Sequence, residues 1–330
     1  MSESLNDFVA DLLMQDAFKN MPSRALARHL NIEFPDKFPV IDAARCIIRT
    51  VTGCMGEKER RRYQKKYGHL YNREIINEIP EAYSDEYKPY IVPSFCEKTL
   101  TLSDMHVPFH QMDAIIAAVK FGKDNGVDSV LLNGDISDQY WSSKFVKIGQ
   151  KHPFTYQDEI DQCNFMLDYL MEEFPNCKFI FKIANHEDRL EAYLSRTDIK
   201  LRGTKIESLL ELTERNFDIV ESGQYIDHSG LMILHGHEYG KAGGNYVNAA
   251  KALHNKTGLP SMCGHHHLKS DHDIVLGNDN VITCYTLGCL CFKHQAYAPM
   301  NKWAHGCAIV ERKKNGFRVD NRRILNGEIR

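Results

Sequence analysis

The stretch Val-Leu-Leu-Asn-Gly-Asp-Ile-Ser-Asp at residues 130–138 decides the fold of this chain. It reads as a short apolar strand that ends in a Gly-Asp turn, with a second acid three residues after Asp135. In α/β folds, a strand that ends in this way delivers its carboxylate to the carboxyl edge of the sheet, where ligands bind. Because Gly-Asp is also common turn chemistry, the prediction depends on similar stretches elsewhere in the chain.

Four further stretches place metal-capable residues after apolar runs. Residues 100–106 end in Asp-x-His, and residues 179–188 end in Asn-His-Glu-Asp. Residues 231–237 end in His-Gly-His, and residues 264–267 read Gly-His-His-His. This repetition predicts a metal site that is built at the edge of a sheet.

Length and composition limit the class of protein. The chain has 330 residues, of which 43% are hydrophobic, and this suits one large domain plus an accessory one. A formal net charge of -3 gives no global attraction to nucleic acid or membrane, so any such attraction requires a local patch. The ten cysteines form no Cys-x-x-Cys pair, which indicates reduced thiols. With no apolar run of membrane-spanning length and no basic leader, we expect a soluble, cytoplasmic protein without a membrane partner.

Residues 1–68 are predicted to form a helical domain, because apolar residues recur there at helical spacing. Residues 24–66 carry eleven basic and five acidic side chains. A helix-turn-helix-like contact with DNA or RNA would use this excess of positive charge. The loop between the second and third predicted helices is longer than the usual tight turn. A packing domain with a solvated charged face is therefore the alternative.

Residues 69–97 are predicted to be a linker, since they contain three prolines and no clear periodicity. From residue 98 to residue 330, strands alternate with helices, which predicts a catalytic domain built on a sheet. Helices are expected at residues 112–125 and 156–174. After Gly258 the pattern changes to closely spaced short strands, which favours a second, more antiparallel sheet.

The metal-capable residues at the strand ends form a donor set of two carboxylates, one amide and four imidazoles. This set suits manganese, iron, zinc or cobalt better than calcium or magnesium alone. Seven ligands are too many for one four-coordinate ion and suit two ions bridged by a carboxylate and a water. Two such ions would acidify the water and hold both sides of an in-line displacement at phosphorus. The predicted ligands are Asp104, His106, Asp135, Asn185, His235, His265 and His267.

The order Asp-x-His, Gly-Asp-x-x-Asp, Asn-His-Glu, His and Gly-His-x-His resembles the calcineurin-like metallophosphoesterases over roughly residues 98–310. The resemblance implies an α/β fold, a calcineurin-like phosphoesterase sandwich of two mixed β-sheets flanked by helices, here with an N-terminal helical domain. It implies two divalent metal ions, with Mn²⁺ as first choice and Fe, Zn, Ni or Co as alternatives. One site would use Asp104, His106, Asp135 and His267, and the other Asp135, Asn185, His235 and His265, with Asp135 as the bridge.

The resemblance also implies two catalytic residues. His186 would face the substrate and protonate or stabilise the leaving oxygen, and Asp138 would orient its ring. A carboxylate on one ring nitrogen fixes the tautomer of an imidazole and raises its basicity, so this pairing has a physical basis.

The chain departs from the family pattern at a few positions. Ala184 stands where the family usually has glycine. The protein serine/threonine phosphatases of this superfamily carry arginines that clamp phosphate, and Gln139 and Ile183 occupy those places here. Arg189 is a candidate substitute clamp, because a guanidinium pairs well with phosphate oxygens. His237 is a candidate substrate-facing residue.

The sequence therefore predicts an enzyme, a metal-dependent phosphoric ester hydrolase whose metal-bridging hydroxide attacks phosphorus. A phosphodiester is favoured over a monoester as the substrate. One alternative is a DNA or RNA nuclease that binds nucleic acid through residues 24–66. Another is a non-catalytic DNA-binding or scaffold protein with a vestigial metal site. Decayed sites usually lose ligands, and this chain retains all seven.

Overall fold

A computed structural model of the chain describes residues 4–54, 87–144, 152–197, 203–239, 247–277, 280–295 and 300–330. They belong to two compact units, Met1–Asp85 and Glu86–Arg330. None of the described helices combines the length and the apolar character needed to cross a lipid bilayer.

The first unit is helical over the residues that the structure describes. Its helices are α1 (Leu5–Leu13), α2 (Asp16–Lys19), α3 (Ser23–Glu33) and α4 (Ile41–Val51). Their buried faces share a core that includes Val9, Leu13, Leu26, Leu30, Phe38 and Ile48. Residues 55–66, the last part of the basic segment 24–66, lie outside the described residues, so the nucleic-acid contact stays a prediction.

The second unit contains thirteen strands among its described residues. They are β1 (Tyr90–Ile91), β2 (Lys98–Leu102), β3 (Ser129–Leu132), β4 (Lys178–Lys182), β5 (Asp218–Val220), β6 (Ile226–His228), β7 (Leu231–Leu234), β8 (Ser261–Cys263), β9 (Ser270–Val275), β10 (Val281–Thr286), β11 (His305–Lys313), β12 (Gly316–Leu325) and β13 (Glu328–Ile329).

Five helices accompany these strands in the described residues. They are α5 (Met112–Asp124), α6 (Tyr156–Glu173), α7 (Asp188–Thr197), α8 (Ile206–Leu209) and α9 (Ala249–Thr257). α6 begins at a capping box between Thr155 and Asp158. α9 ends at Gly258, whose φ of 62° is the left-handed conformation that glycine adopts at helix ends.

The strands form two mixed sheets. The first has the order β13-β12-β11-β2-β3-β4-β5, in which β2, β3, β4 and β5 are parallel. The second has the order β1-β6-β7-β8-β10-β9, in which β7, β8 and β10 are parallel. This architecture confirms the predicted sandwich of two mixed sheets flanked by helices.

Alternating side chains build the layers of the sandwich. Leu131 on β3 and Ile233 on β7 lie in one apolar cluster between the sheets. Val130 and Leu132 point the other way and join the cluster formed with α5 and α6. Leu234 packs with residues of α9 on the outer face of the second sheet. The central strands of both sheets are thus buried on two faces, as their continuous apolar runs predict.

Two details of the predicted organisation need correction. Residues 90–91 were expected in the linker, but they form β1, which pairs in parallel with β6 and is followed by the buried Val92. The strands expected at residues 306–312 and 316–319 were assigned to a second sheet with the other late strands. Instead β11 pairs antiparallel with β2 and completes the first sheet. Strand periodicity is local, whereas the choice of partner is decided by packing across the whole unit.

Candidate metal centre

The carboxyl ends of five strands from both sheets carry the predicted metal ligands. β2 and β3 lead to Asp104, His106 and Asp135, and β4 leads to Asn185. From the second sheet, β7 leads to His235, and β8 leads to the turn with His265 and His267. Parallel neighbours end at the same edge of a sheet, which brings residues far apart in sequence together.

Five of the seven predicted ligands have left-handed backbone conformations. The φ angles are 57° at Asp104, 49° at His106, 52° at Asp135, 63° at His265 and 55° at His267. For residues other than glycine, this conformation costs on the order of 1–2 kcal/mol each. It turns the chain sharply at each strand end, and clusters of this kind occur at functional sites, where the surrounding structure offsets the cost.

Asp135 lies at the centre of the cluster. Its Oδ2 is 3.2 Å from Nε2 of His235, 3.7 Å from Nε2 of His186 and 3.9 Å from Nε2 of His106. Ligand atoms of Asp135, His235 and His265 all lie within 4.8 Å of one another, which suits a shared metal ion. Asp135 thus lies beside imidazoles from both sides of the cluster.

Asp104 supports the other side of the cluster. Its Oδ1 is 3.1 Å from Nε2 of His267, and its two oxygens accept the backbone N–H of His265 at 3.1 and 3.0 Å. Nε2 of His106 is 3.2 Å from Nε2 of His267. Gly264 makes this approach possible, because a Cβ there would lie 2.5 Å from Oδ2 of Asp104.

The hydrogen-bond network assigns the tautomers of two predicted ligands. Nδ1 of His106 donates to Oδ1 of Asp138 over 2.9 Å, and Nδ1 of His235 donates to the carbonyl oxygen of Asn133 over 2.8 Å. In both rings Nε2 is then the nitrogen that can bind a metal. Metal-binding histidines in proteins are oriented in this way by a partner on the other ring nitrogen.

The electrostatics of the cluster favour positive charge. Burial opposes ionisation of Asp104 and Asp135, yet neighbouring imidazoles hold the pKa of each carboxyl below its usual range. Burial likewise opposes protonation of His235, yet Asp135 and Asp104 raise its pKa to about 10. A buried centre that stabilises cationic imidazoles in this way would also stabilise divalent cations.

Two buried polar atoms support the fit of metal ions to this site. Oδ1 of Asn185 and Nε2 of His235 have no hydrogen-bond partner among the described residues. Buried polar atoms normally have partners, and a metal ion would supply one to each. With two carboxylates and the imidazoles, these atoms form a donor set that suits divalent transition metals.

Glu187 holds the turn that carries Asp135. Its side chain is buried and accepts four backbone N–H groups. Oε1 accepts from Ile136 at 2.8 Å and Ser137 at 3.1 Å, and Oε2 accepts from Asp135 at 3.0 Å and Ala184 at 3.1 Å. Burial and the nearby Asp135 raise the pKa of Glu187 to about 7. The sequence analysis did not assign this residue a role.

Glu238 holds the turn that carries His235 in a similar way. It accepts the backbone N–H of His235 at 3.0 Å and that of Gly236 at 2.6 Å. The buried Lys182 lies 3.1 Å from its Oε1. Although burial opposes ionisation of Glu238, Lys182 lowers its pKa to about 2. The two turns that present Asp135 and His235 are thus each fixed by a buried carboxylate.

The residues predicted to act on substrate lie at the same edge. Asp138 Oδ1 is 3.2 Å from Nδ1 of His186 as well as 2.9 Å from His106, so it contacts both rings. Arg189 contacts His186 directly, with its NH2 group 2.7 Å from Nε2. His237 is placed beside His235, with ring centroids 5.4 Å apart, and its Nε2 is 3.0 Å from the Ser222 hydroxyl.

The structure also brings to the cluster a cysteine that was not among the predicted ligands. Cys291 is buried, and its Sγ lies 3.9 Å from Nδ1 of His267. Ligand atoms of His106, His267 and Cys291 lie within 4.8 Å of one another. The only signal in the sequence is the Cys-x-Cys pattern at residues 289–291, which lacks the spacing of a zinc motif.

No protein-family model matches the sequence, and no curated protein matches it either. Among solved structures, wild-type Vps29 from Entamoeba histolytica, complexed with Zn²⁺, matches at 12% identity and a TM-score of 0.36, covering 71% of this chain and 96% of that one. YfcE, a phosphoesterase from E. coli, matches at 12% identity and a TM-score of 0.32, covering 68% and 98%. A dimetal phosphatase from Danio rerio matches at 10% identity and a TM-score of 0.34, covering 71% and 98%.

Proposed function

We propose that the second unit is a phosphoester hydrolase that depends on two divalent metal ions and favours phosphodiesters over monoesters. The observation that carries the proposal is the convergence of ligand atoms at one edge of both sheets. Two buried carboxylates, oriented imidazoles and an unpartnered amide oxygen lie together there. This donor set accepts Mn²⁺, our first choice, and also Fe, Zn, Ni or Co.

The residues divide into two ligand groups that share one carboxylate. Asp135 is the shared ligand, because its Oδ2 faces imidazoles from both groups. The first group would be Asp104, His106, Asp135 and His267, and the second Asp135, Asn185, His235 and His265.

The reaction adds a water oxygen to phosphorus, breaks the bond to the ester oxygen and returns a proton to the departing alcohol. When bound, the two ions would acidify that water and neutralise charge on the phosphoryl oxygens. The chain's own contribution is to fix the ligands in advance. Asp138 orients the ring of His106, the carbonyl of Asn133 orients that of His235, and Glu187 fixes the backbone of Asp135. Groups that are held before the substrate arrives need no reorganisation during the reaction.

The test compares a chromogenic phosphodiester with the matching monoester, on protein that has been stripped of metal and refilled with Mn²⁺. Asp135→Asn should lower turnover of the preferred ester by at least ~100-fold and should lower the bound metal content, because the shared ligand serves both groups. Asp161→Asn, on the exposed side of α6, is the matched control and should behave as wild type. Wild-type turnover in Asp135→Asn would overturn the assignment.

The same assay distinguishes the other functions. A diester preference would lead next to DNA, RNA and cyclic nucleotides, and cleavage of DNA or RNA would support the nuclease with residues 24–66 as its nucleic-acid contact. A monoester preference would contradict the proposed substrate class. If the metal-loaded protein turned over neither ester, the scaffold alternative would replace the hydrolase.

A further inference from the structure

Arg189, in the first turn of α7, reaches back to the turn that follows β3. Its NH1 group donates to the carbonyl oxygen of Asp138 over 2.8 Å. Its NH2 group lies 2.7 Å from Nε2 of His186. The side chain is half-buried, so it forms part of the wall of the site while one side stays accessible.

The ring of His186 is oriented by these contacts. Its Nδ1 lies 2.8 Å from the carbonyl oxygen of Asp138, which can only accept, so Nδ1 carries the hydrogen. Its Nε2 faces the guanidinium of Arg189, which can only donate, so Nε2 accepts. The two N–H groups of Arg189 that make these contacts therefore bind a carbonyl and an imidazole lone pair.

The guanidinium is close to the metal cluster. Nε2 of His186 is 2.7 Å from Arg189 and 3.7 Å from Oδ2 of Asp135, so one ring separates the guanidinium from the shared ligand. The backbone N–H of His186 also donates to Oδ1 of Asp135 over 3.0 Å. The guanidinium therefore lies beside the predicted metal ligands, on the side of His186.

The charge of Arg189 is available to a bound anion. Its two hydrogen bonds to other described residues go to groups without a negative charge, and they use two of its five N–H groups. A guanidinium stays protonated in proteins, and its fork geometry fits two oxygens of a phosphate.

Gln139, which follows the Gly-Asp-x-x-Asp motif, is not positioned to bind phosphate, because other residues occupy its amide group. It is buried, its Nε2 donates to the Ser137 hydroxyl over 2.8 Å, and its Oε1 accepts from Ser142 and Tyr156, each at 3.2 Å. The positive charge beside the carbonyl of Asp138 is the guanidinium of Arg189, which belongs to α7 and not to the loop of the motif.

We propose that Arg189 binds the phosphoryl oxygens of the substrate and that His186 is a positioning residue, which holds the guanidinium through Nε2. This inference rests on the proposed function. It assigns His186 a positioning role in place of the role that the family resemblance implies, because its Nε2 contacts the guanidinium of Arg189.

The test is calorimetric binding of inorganic phosphate to the metal-loaded protein. Arg189→Met should weaken phosphate binding by ~10–100-fold, the loss expected for charge-assisted hydrogen bonds, and leave the metal content unchanged. Arg189→Lys should recover part of the affinity, since it keeps the charge and loses the fork. Arg196→Met is the matched control, because Arg196 is exposed two turns further along α7, and it should bind phosphate as wild type does.

A double-mutant cycle tests the positioning role of His186. His186→Ala should weaken phosphate binding in the wild-type background and have little further effect in Arg189→Met, because the residue would act through the guanidinium. Equal losses in both backgrounds would overturn the positioning role. Wild-type phosphate affinity in Arg189→Met, or loss of metal from that variant, would overturn the role of Arg189. If wild type binds phosphate through Arg189 but hydrolyses no ester, the proposed function fails and this inference stands.

Discussion

Glu187→Gln should destabilise the turn that presents Asp135. The carboxylate of Glu187 accepts four backbone N–H groups, with two on each oxygen. Glutamine has nearly the same shape but only one oxygen. Whichever way its amide is oriented, two buried N–H groups would face an NH₂ group and lose their acceptor.

The magnitude follows from these contacts. A buried donor left without an acceptor costs about 1–3 kcal/mol, so two of them cost ~2–6 kcal/mol. Glu187 lies near Asp135, and burial together with that carboxylate raises the pKa of Glu187 to about 7. The substitution removes this repulsion, which offsets part of the loss. We therefore expect the free energy of unfolding to fall by ~2–4 kcal/mol at pH 8, where Glu187 is ionised.

Urea unfolding of the metal-free protein, followed by tryptophan fluorescence, measures this loss. Both tryptophans of the chain, Trp141 and Trp303, belong to the second unit, so the signal reports on the unit that contains Glu187. Glu191→Gln is the control, because Glu191 is exposed one turn further along α7. A change in Glu187→Gln no larger than ~0.5 kcal/mol, the usual range for surface substitutions, would refute the reasoning.

Two other predictions concern a close approach and a buried imidazole. A methyl group at Gly264 would lie 2.5 Å from Oδ2 of Asp104, so Gly264→Ala should weaken metal binding by at least ~10-fold in a calorimetric titration. Gly277→Ala, where nothing lies within 4 Å, should leave that affinity unchanged, and equal effects would contradict the steric explanation. Burial, and then Arg312, lower the pKa of His228 from 6.5 to about 4, so its stabilising contribution is present above pH 6.5 and is lost as the pH falls toward 4. Between pH 8 and pH 5, wild type should lose about 2 kcal/mol more unfolding free energy than His228→Gln, and identical losses would show that the ring does not titrate in this way.

The convergence of the candidate ligands at one edge could be predicted from sequence because its signals are local. Each ligand-bearing turn follows a short apolar run, and β2, β3, β4, β7 and β8 form at or within two residues of those runs. Once the runs are recognised as parallel strands, the carboxyl edge of the sheet is the place where their polar ends meet. The left-handed conformations of Asp104 and Asp135 have no such local signal, since neither residue is glycine.

The partners of the late strands could not be predicted in the same way. β11 reads as an ordinary apolar strand, and its pairing with β2 joins Ala308 to Thr101 across the length of the unit. β1, β5 and β6 have two or three residues each, which is too short for a period to be visible. These assignments depend on burial between the sheets, a property of the assembled unit.

The role of Glu187 and the contacts that Arg189 makes with the preceding loop were hidden for a related reason. Both lie near the start of α7, and their side chains turn toward the preceding loop. Whether a charged residue in a first helical turn faces solvent or the loop depends on how the helix is set against the sheet. The sequence shows only that Glu187 and Arg189 are two residues apart. It does not distinguish a charged side chain in solvent from one that hydrogen-bonds to the backbone of the preceding loop.

The supporting carboxylates give metal binding a consequence for stability. Glu238 is compensated by Lys182, whose Nζ lies 3.1 Å away, and its pKa is lowered to about 2. Glu187 has only backbone N–H partners and lies near Asp135, so burial and repulsion raise its pKa to about 7. The turn at Asp135 therefore holds two carboxyl groups that repel each other, and the neighbouring imidazoles balance the charge of Asp135 more than that of Glu187. Cations bound at Asp135 would supply the balance and stabilise the folded unit by mass action. Glu187 would then couple the backbone of that turn to metal binding. It holds the backbone of Asp135, and its ionised form would be stabilised by a positive charge nearby.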